Sequence, residues 1–168
     1  MMETAYLKTG PKMIGQVKNF PALNDFSDND LRSFLRMCKI RKYEKNEAIC
    51  EEGKVDKWLY FLIQGKLKVV KAGQQIAIID KKGEIFGEMG LFDSSPRAAS
   101  IKAMTSTACL AADIDLMEKL EGIEKVAFGY VVYRALASSL AERLKTANEI
   151  IVSEPEKSSW GKLKKKFF

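Results

Sequence analysis

The chain has 168 residues, of which 46% are apolar and 30% are charged, a composition typical of a folded domain rather than a disordered one. It contains no histidine, which excludes Ser–His and Cys–His nucleophile pairs and His-ligated metals, so we expect no enzymatic activity and no metal site. The net charge is +6, but residues 1–20 carry +2 and residues 153–168 carry +3, and the nearly neutral body between them argues against a nucleic-acid groove.

The three cysteines are odd in number and widely spaced: Cys38, Cys50 and Cys109. A disulfide framework, a zinc ribbon and an iron–sulfur cluster are therefore disfavoured, and we expect reduced, buried thiols. The longest apolar runs are far shorter than the ~18 residues of a membrane span. Residues 1–15 lack the apolar core of a secretion signal, so we expect a cytoplasmic protein.

The first predicted element follows an N-terminal segment of residues 1–22 and is a short helix. Ser27 and Asp30 have the spacing of a capping box, with Asp in place of Glu. The apolar residues that follow recur at i, i+3, i+4 and i+7, which indicates one buried helix face: Leu31, Phe34, Leu35 and Cys38.

Residues 39–113 have a different pattern, in which glycines separate short apolar stretches. Their spacing of roughly 8–12 residues predicts an antiparallel sandwich or barrel. We assign the β-rich domain to residues 23–121. Its predicted strand regions are 59–63, 67–69, 75–79 and 100–114, and its predicted turns are 72–74 and 81–83.

Helices are predicted again after residue 114. Asp115 is placed to cap a short helix over residues 116–121, and a long helix follows over 122–152. Apolar residues recur along the long helix in steps of 4 and 3, a heptad stripe. The stripe either packs on the β region or meets a second copy in a parallel homodimer, which we favour; its members are Val126, Tyr130, Tyr133, Ala137, Leu140, Leu144, Ala147 and Ile151.

The last segment, residues 153–168, is a linker followed by a basic, aromatic tail. Its apolar residues Trp160, Leu163, Phe167 and Phe168 alternate with lysines. This pattern is compatible with a weak amphipathic contact to an anionic membrane or an acidic partner. The other interpretation is a disordered, solubilising terminus.

The stretch from Gly83 to Ser100 combines the groups that an anionic, hydroxyl-bearing ligand needs. Gly87 and Gly90 allow close backbone approach, and residues 89–92 can form one helical turn whose N–H groups favour an anion. Arg97 supplies a guanidinium fork for a phosphate. Glu88 supplies an acceptor for sugar hydroxyls. Without a ligand, the alternative is that Glu88 is an exposed turn residue paired with Arg97.

This stretch resembles the phosphate-binding cassette of cyclic-nucleotide-binding domains, the family of the catabolite activator protein and of the regulatory subunits of cyclic-AMP-dependent protein kinase. The family pattern is F-G-E-aliphatic-(A/G)-L, three to five residues, then P-R-A-A-(S/T)-aliphatic. The chain has the sequence Phe86–Leu91 followed by Pro96–Ile101, and upstream the strand and turn Leu59–Gly65. The resemblance covers about residues 20–152.

The resemblance implies an α+β, mainly β fold: an eight-stranded, jelly-roll-like β-roll (a double-stranded β-helix) with N-terminal helices and a long C-terminal helix. It implies that Glu88 accepts the ribose 2′-hydroxyl, assisted by the Gly87 N–H, and that Arg97 pairs with the phosphate oxygens. The remaining implied contacts are the backbone of Ala98 and Ala99 to the phosphate, and Phe86, Met89 and Ala77 along the sugar or purine.

The base is harder to assign. The family tends to use Ser or Thr directly after the cassette Arg to bind guanine, and here that position is Ala98. The resemblance therefore implies cAMP rather than cGMP as the ligand, with no cofactor. On the long helix, Asn148 or Thr146 is placed to donate to the base, or both face solvent.

Only 16 residues follow the predicted long helix, too few for the winged helix-turn-helix of the transcription factors in this family. We therefore expect no direct sequence-specific DNA binding. The resulting hypothesis is a cytoplasmic cAMP receptor or regulatory domain that signals through its C-terminal helix to an unknown effector protein. The alternative is a ligand-free β-roll interaction or scaffold module tethered through its basic tail to a membrane or partner.

Overall fold

The computed structural model describes residues 1–7, 10–89 and 95–153. Its strands, in chain order, are β1 (Met2–Glu3), β2 (Cys38–Tyr43), β3 (Ala48–Cys50), β4 (Trp58–Gln64), β5 (Leu67–Lys71), β6 (Gln74–Ile79), β7 (Ile85–Phe86), β8 (Ser100–Ala103) and β9 (Thr107–Asp113). Its helices are α1 (Pro11–Val17), a short 3-10 helix (Pro21–Leu23), α2 (Asp28–Leu35), α3 (Asp115–Lys119) and α4 (Gly122–Ser153).

The strands form two antiparallel sheets. The first has the order β1-β2-β9-β4-β7 and the second β3-β8-β5-β6. Together with the N-terminal helices and α4 they confirm the predicted α+β, mainly β roll. The described residues contain one strand more than the eight expected, because β1 pairs with β2 in the register Glu3↔Arg41.

The buried core has two layers, one on each face of β4. Leu59 and Phe61 face the helices, where Phe34 lies with its ring centroid 5.7 Å from that of Phe61. Tyr60 and Leu62 face the second sheet. Because side chains alternate along a strand, a strand buried on both faces is apolar at every position. The functional residues lie beside the second layer.

The N-terminus of α2 confirms the predicted cap, since the Ser27 hydroxyl accepts from the Asp30 N–H at 3.2 Å. The helix is shorter than its apolar spacing predicts. It ends at Leu35, and Cys38 is the first residue of β2. Cys38 is still buried against α2, where its thiol donates to the Phe34 carbonyl at 3.3 Å.

Two further predicted boundaries are wrong. The region 100–114 is two strands, because the chain turns at residues 104–106 and β8 and β9 belong to different sheets. Asp115 is the first residue of α3 rather than its cap, and the helix has no side-chain cap bond. The free, buried state predicted for Cys38, Cys50 and Cys109 is confirmed.

Contacts divide the chain into two compact units, one ending at Leu136 and one beginning at Ala137. In the first unit, α4 buries five residues: Phe128, Val131, Val132, Ala135 and Leu136. The heptad residues Val126, Tyr130 and Tyr133 stay exposed, and the Tyr130 ring makes an edge contact with the Phe26 ring, with centroids 5.3 Å apart. Both interpretations of the stripe therefore stay predictions.

In the second unit, Leu140, Leu144 and Ile150 are exposed on α4. Within the described residues, no helix combines the length and apolar character that crossing a bilayer requires. The predicted tail, from Trp160 to Phe168, lies outside the described residues.

Candidate functional site

A cavity of about 120 Å³ lies at the end of β7, beside the core layer between the two sheets. Its lining residues come from β3, β5, β6, β7, β8 and the loop before β8: Cys50, Val69, Ile79, Phe86, Gly87, Glu88, Met89, Arg97, Ala98, Ala99 and Ile101. The cavity thus brings together seven of the residues predicted to bind a ligand.

A further predicted site residue, Asn148, is exposed on α4 in the second unit. Its contact with a base stays a prediction. Ala77 is exposed on β6, opposite Val69, and is not among the residues that line the cavity. The predicted helical turn at residues 89–92 extends into 90–94, which lie outside the described residues.

The floor of the cavity depends on a sharp backbone turn directly after β7. Phe86 stacks on Tyr60 of the neighbouring strand, with ring centroids 5.2 Å apart and an interplanar angle of 8°. Gly87 follows with φ +82, and a Cβ there would lie 3.2 Å from Arg97 Nη1, the Trp58 carbonyl oxygen and Tyr60 Cδ2. A glycine is required at this position because of both the left-handed backbone and the lack of space.

Arg97 is the buried cation of the site, only 4% exposed. Its Nε donates to Asp56 Oδ2 at 3.1 Å, Nη2 donates to Asp56 Oδ1 and, at 2.6 Å, to the Trp58 carbonyl, and Nη1 donates to the Gly87 carbonyl. Four of the five guanidinium N–H groups are therefore engaged by residues that the structure describes.

The electrostatics keep this guanidinium charged. Burial is the largest single influence and disfavours the cation, but the hydrogen bond with Asp56 and the charge interactions with Cys50, Asp56 and Tyr60 together outweigh it, so the pKa of Arg97 is raised above its usual value. The loop that carries Arg97 is fixed by two backbone bonds, Arg97 N–H to the Lys54 carbonyl at 2.8 Å and Gly53 N–H to the Arg97 carbonyl at 2.9 Å.

Asp56 is the partner of Arg97 that the sequence did not reveal. The sequence offered Glu88 as the ion-pair partner of Arg97 in the ligand-free case, and the structure places the carboxylate of Asp56 on Arg97. Asp56 also accepts from the Trp58 N–H at 3.1 Å. An acidic residue two positions before a strand indicates a turn in which its side chain accepts from the backbone N–H two residues on. It does not indicate that the same carboxylate pairs with Arg97.

The remaining walls are apolar. Val69, Ile79 and Ile101 line one side, and Cys50 joins them. Burial raises the pKa of Cys50 to about 12, so its thiol is neutral and serves as an apolar surface. Glu88, half-buried, and Arg97 line the same cavity. One cation, one carboxylate and an apolar wall suit an anion that also carries hydroxyls and an apolar ring.

Comparison with known proteins agrees with this geometry. The family model for the cyclic nucleotide-binding domain matches residues 40–121. A cGMP-dependent protein kinase of Toxoplasma gondii is 30% identical over 129 residues, which are 76% of this chain and 13% of the kinase. A cAMP-dependent protein kinase regulatory subunit of Eremothecium gossypii is 30% identical over 89 residues, 53% of this chain and 19% of the subunit.

Among solved structures, a cyclic nucleotide-binding domain from Methylobacillus flagellatus superposes with a TM-score of 0.70 at 24% identity, covering 85% of this chain and 84% of that one. This likeness shows the shared fold. The chain spans less than a fifth of the length of the two curated relatives. Residues 40–121 therefore carry the likeness to a family, because they match the model of the cyclic nucleotide-binding domain.

Proposed function

We propose that this chain is a receptor domain that binds a cyclic nucleotide, cAMP rather than cGMP, in the cavity beside β7. The observation that carries the proposal is that Glu88, Arg97 and the backbone of Ala98 and Ala99 line one cavity. Arg97 takes the phosphate with its guanidinium, and Glu88 takes the ribose hydroxyl. Phe86 and Met89 line the sugar or base.

The size of the cavity adds a condition to this proposal. Ligand pockets for small molecules typically have volumes of roughly 300–1,000 Å³, and this cavity has about 120 Å³. It therefore fits the sugar and phosphate, and the base extends beyond it. Selectivity for the base then rests on contacts outside the cavity, for which Asn148 remains the proposed donor.

The preference for cAMP rests on Ala98, which offers no hydroxyl to guanine. The names of the relatives include both a cGMP-dependent kinase and a cAMP-dependent regulatory subunit, so the family does not decide between the two ligands. Titration calorimetry of the chain with cAMP and with cGMP decides it. Tighter binding of cGMP would overturn the preference and leave the site intact.

The test of the site is Arg97→Ala, which removes a charge-assisted fork. We expect a loss of at least about 2 kcal/mol in binding, roughly 30-fold. Because Arg97 also holds Asp56 and two backbone carbonyls, circular dichroism must first show that the variant is folded. Glu88→Gln provides a second variant, which lies on the other side of the cavity. Equal affinity of all three proteins would overturn the proposal.

The proposed output is a change in the contacts of α4, made in a cytoplasmic homodimer and read by an effector protein. The exposed heptad residues Val126, Tyr130, Tyr133, Leu140 and Leu144 support a helix pair. Sedimentation of the double variant Leu140→Glu, Leu144→Glu tests this, with Thr146→Glu on another face of α4 as control. A dimer that survives the double variant, or a monomeric parent chain, would refute the helix pair.

A further inference from the structure

The N-terminal segment lies along the edge of the first sheet and is fixed there by both backbone and side chains. Thr4 N–H donates to the Ile40 carbonyl and Leu7 N–H to the Cys38 carbonyl, each at 3.0 Å. The Tyr6 hydroxyl donates to Asp113 Oδ2 at 2.7 Å. We call residues 1–7 the N-terminal strap.

The carboxylate of Glu3 connects the N-terminal strap to two side chains of β2. Glu3 accepts from Lys39 Nζ and from Arg41 Nε, each at 2.9 Å. The side chains of Lys39 and Arg41 are only 18% and 11% exposed, and Glu3 is 34% exposed. Exposed ion pairs contribute little to stability, but Lys39 and Arg41 are largely removed from solvent and share the Glu3 carboxylate. Loss of that carboxylate therefore leaves two poorly solvated positive charges without this partner.

Arg41 in turn contacts the two aromatic residues at the start of β4. Its guanidinium carbon lies 3.7 Å from the ring centroid of Trp58, a stacked cation–π arrangement. Its Nη1 donates to the Tyr60 hydroxyl at 2.9 Å. Arg41 is therefore held by Glu3 on one side and holds Trp58 and Tyr60 on the other.

Both of these aromatic residues contact a residue that lines the cavity. Tyr60 stacks flat on Phe86, which lines the cavity, and its ring leaves no room for a side chain at residue 87. The Trp58 carbonyl accepts from Arg97 Nη2 at 2.6 Å. Two independent contacts thus connect Arg41 to the cavity wall, one through a ring and one through a backbone carbonyl.

We infer that Arg41 is a positioning residue for the nucleotide cavity and that Glu3 of the N-terminal strap sets its position, so that docking of the strap and binding of the ligand are coupled. The coupling rests on the proposed function, because it needs the ligand to occupy this cavity. Coupling free energies are reciprocal: if the docked strap tightens ligand binding, the ligand protects the docked strap by the same factor.

The first experiment compares Glu3→Gln with Asp28→Asn in titrations with cAMP. Both changes replace a carboxylate that forms ion pairs by a neutral amide. Asp28 pairs with Lys18, whereas Glu3 pairs with Lys39 and Arg41. We expect Glu3→Gln to bind cAMP about five-fold more weakly, the lower end of typical coupling, and Asp28→Asn to stay within two-fold of the parent chain. Arg41→Lys, which keeps the charge and loses the fork, should match or exceed the effect of Glu3→Gln.

The first part of the second experiment, the ¹⁹F measurement, does not need a ligand. The chain has two tryptophans, so 5-fluorotryptophan labelling gives two ¹⁹F resonances, and Trp160→Phe assigns the one from Trp58. Glu3→Gln and Arg41→Lys should both shift the Trp58 resonance, and Asp28→Asn should leave it in place. With saturating cAMP, amide exchange at Thr4 and Leu7 in the parent chain should slow by the factor found in the titration.

The outcomes separate the two claims. If the parent chain binds cAMP and Glu3→Gln binds it equally well, the coupling is wrong and the proposed function stands. If the parent chain binds neither cAMP nor cGMP, the proposed function is wrong. The Trp58 resonance then decides the remaining claim, because an unmoved resonance in Glu3→Gln overturns the control of Arg41 by the strap.

Discussion

Replacing Asp56 by asparagine separates the structural role of Arg97 from its role toward a ligand. The substitution keeps the shape and one acceptor oxygen but removes the charge from the carboxylate that Arg97 contacts. Hydrogen bonds to charged groups contribute about 1.5–3 kcal/mol each. Since the Asp56 side chain is 32% exposed and that of Arg97 only 3%, we expect the free energy of unfolding to fall by about 2 kcal/mol. For a chain of this size that corresponds to a Tm lower by roughly 4–8 °C.

The same substitution should leave ligand binding intact or improve it. A phosphate and the Asp56 carboxylate would share one guanidinium, and two like charges about 7 Å apart repel by about 2 kcal/mol at an effective dielectric constant near 20. Removing the carboxylate removes this repulsion, while the Gly87 and Trp58 carbonyls still hold Arg97. We therefore expect Asp56→Asn to bind cAMP at least as tightly as the parent chain.

The assay is thermal denaturation with and without cAMP, together with calorimetric titration. A ligand that binds only the folded state raises Tm according to its affinity, so the cAMP-induced shift should be as large in Asp56→Asn as in the parent chain. Asp80→Asn is the matched control, because Asp80 pairs with Lys66 at 3.2 Å and both are about half exposed. A folded Asp56→Asn chain that binds cAMP more than ten-fold more weakly would refute the reasoning, since the carboxylate would then orient Arg97 for the phosphate. An unchanged Tm would refute the stability estimate.

Three further predictions concern stability. Gly65→Ala should lower the free energy of unfolding, measured in urea, by at least about 2 kcal/mol, because φ is +107 and the new Cβ would lie 2.4 Å from Thr107 Oγ1. The control Gly53→Ala, with φ +80 and open space, should lower it by only about 1 kcal/mol. Ser27→Ala should lower the free energy of unfolding by about 1 kcal/mol, because it removes the N-terminal cap of α2. The control Ser138→Ala, on the exposed side of α4, should leave it unchanged. The hydrogen bond from Lys39, aided by Arg41, lowers the pKa of Glu3 below 4.5, so the stability from this carboxylate is present above pH 4.5 and is lost as the pH falls through the lowered value. Urea titrations from pH 5 to pH 3 should therefore show a steeper loss for the parent chain than for Glu3→Gln, and parallel curves would contradict the assignment.

The sequence predicted most of the cavity because seven of its lining residues belong to one stretch of the chain. This stretch begins at the end of β7 and ends directly before β8, so local glycines and one arginine were enough to suggest an anion site.

Asp56 was missed because its function depends on pairing between distant segments. Residues 53–54 and Arg97 are joined by two backbone hydrogen bonds, and only this pairing brings Asp56 to the guanidinium. No local pattern records a contact across 41 residues. Glu3 and Arg41 were missed for the same reason, since they meet only through the register of β1 with β2.

The split of residues 100–114 into two strands was not readable from hydropathy. Six of the seven residues of β9 are buried, so the strand lacks alternation and merges with β8 in the sequence pattern. What separates them is turn chemistry: Thr105 Oγ1 accepts from the Lys66 N–H at 3.0 Å, and the Thr107 hydroxyl donates to the Thr105 carbonyl at 2.9 Å. Hydroxyl side chains that bond to nearby backbone end strands in this way.

The hydrogen bonds of Arg97 determine where a response to ligand must begin. Since four of its five N–H groups are engaged, a phosphate that takes two of them has to displace a partner. The two carbonyl partners are fixed in the backbone, whereas Asp56 is a side chain, about a third exposed, that water can solvate once it is released. We therefore expect the loop of residues 53–57 to move first. That loop continues directly into β4, so we expect its movement to reach Trp58 and Tyr60, which contact Arg97 and Phe86 of the cavity lining.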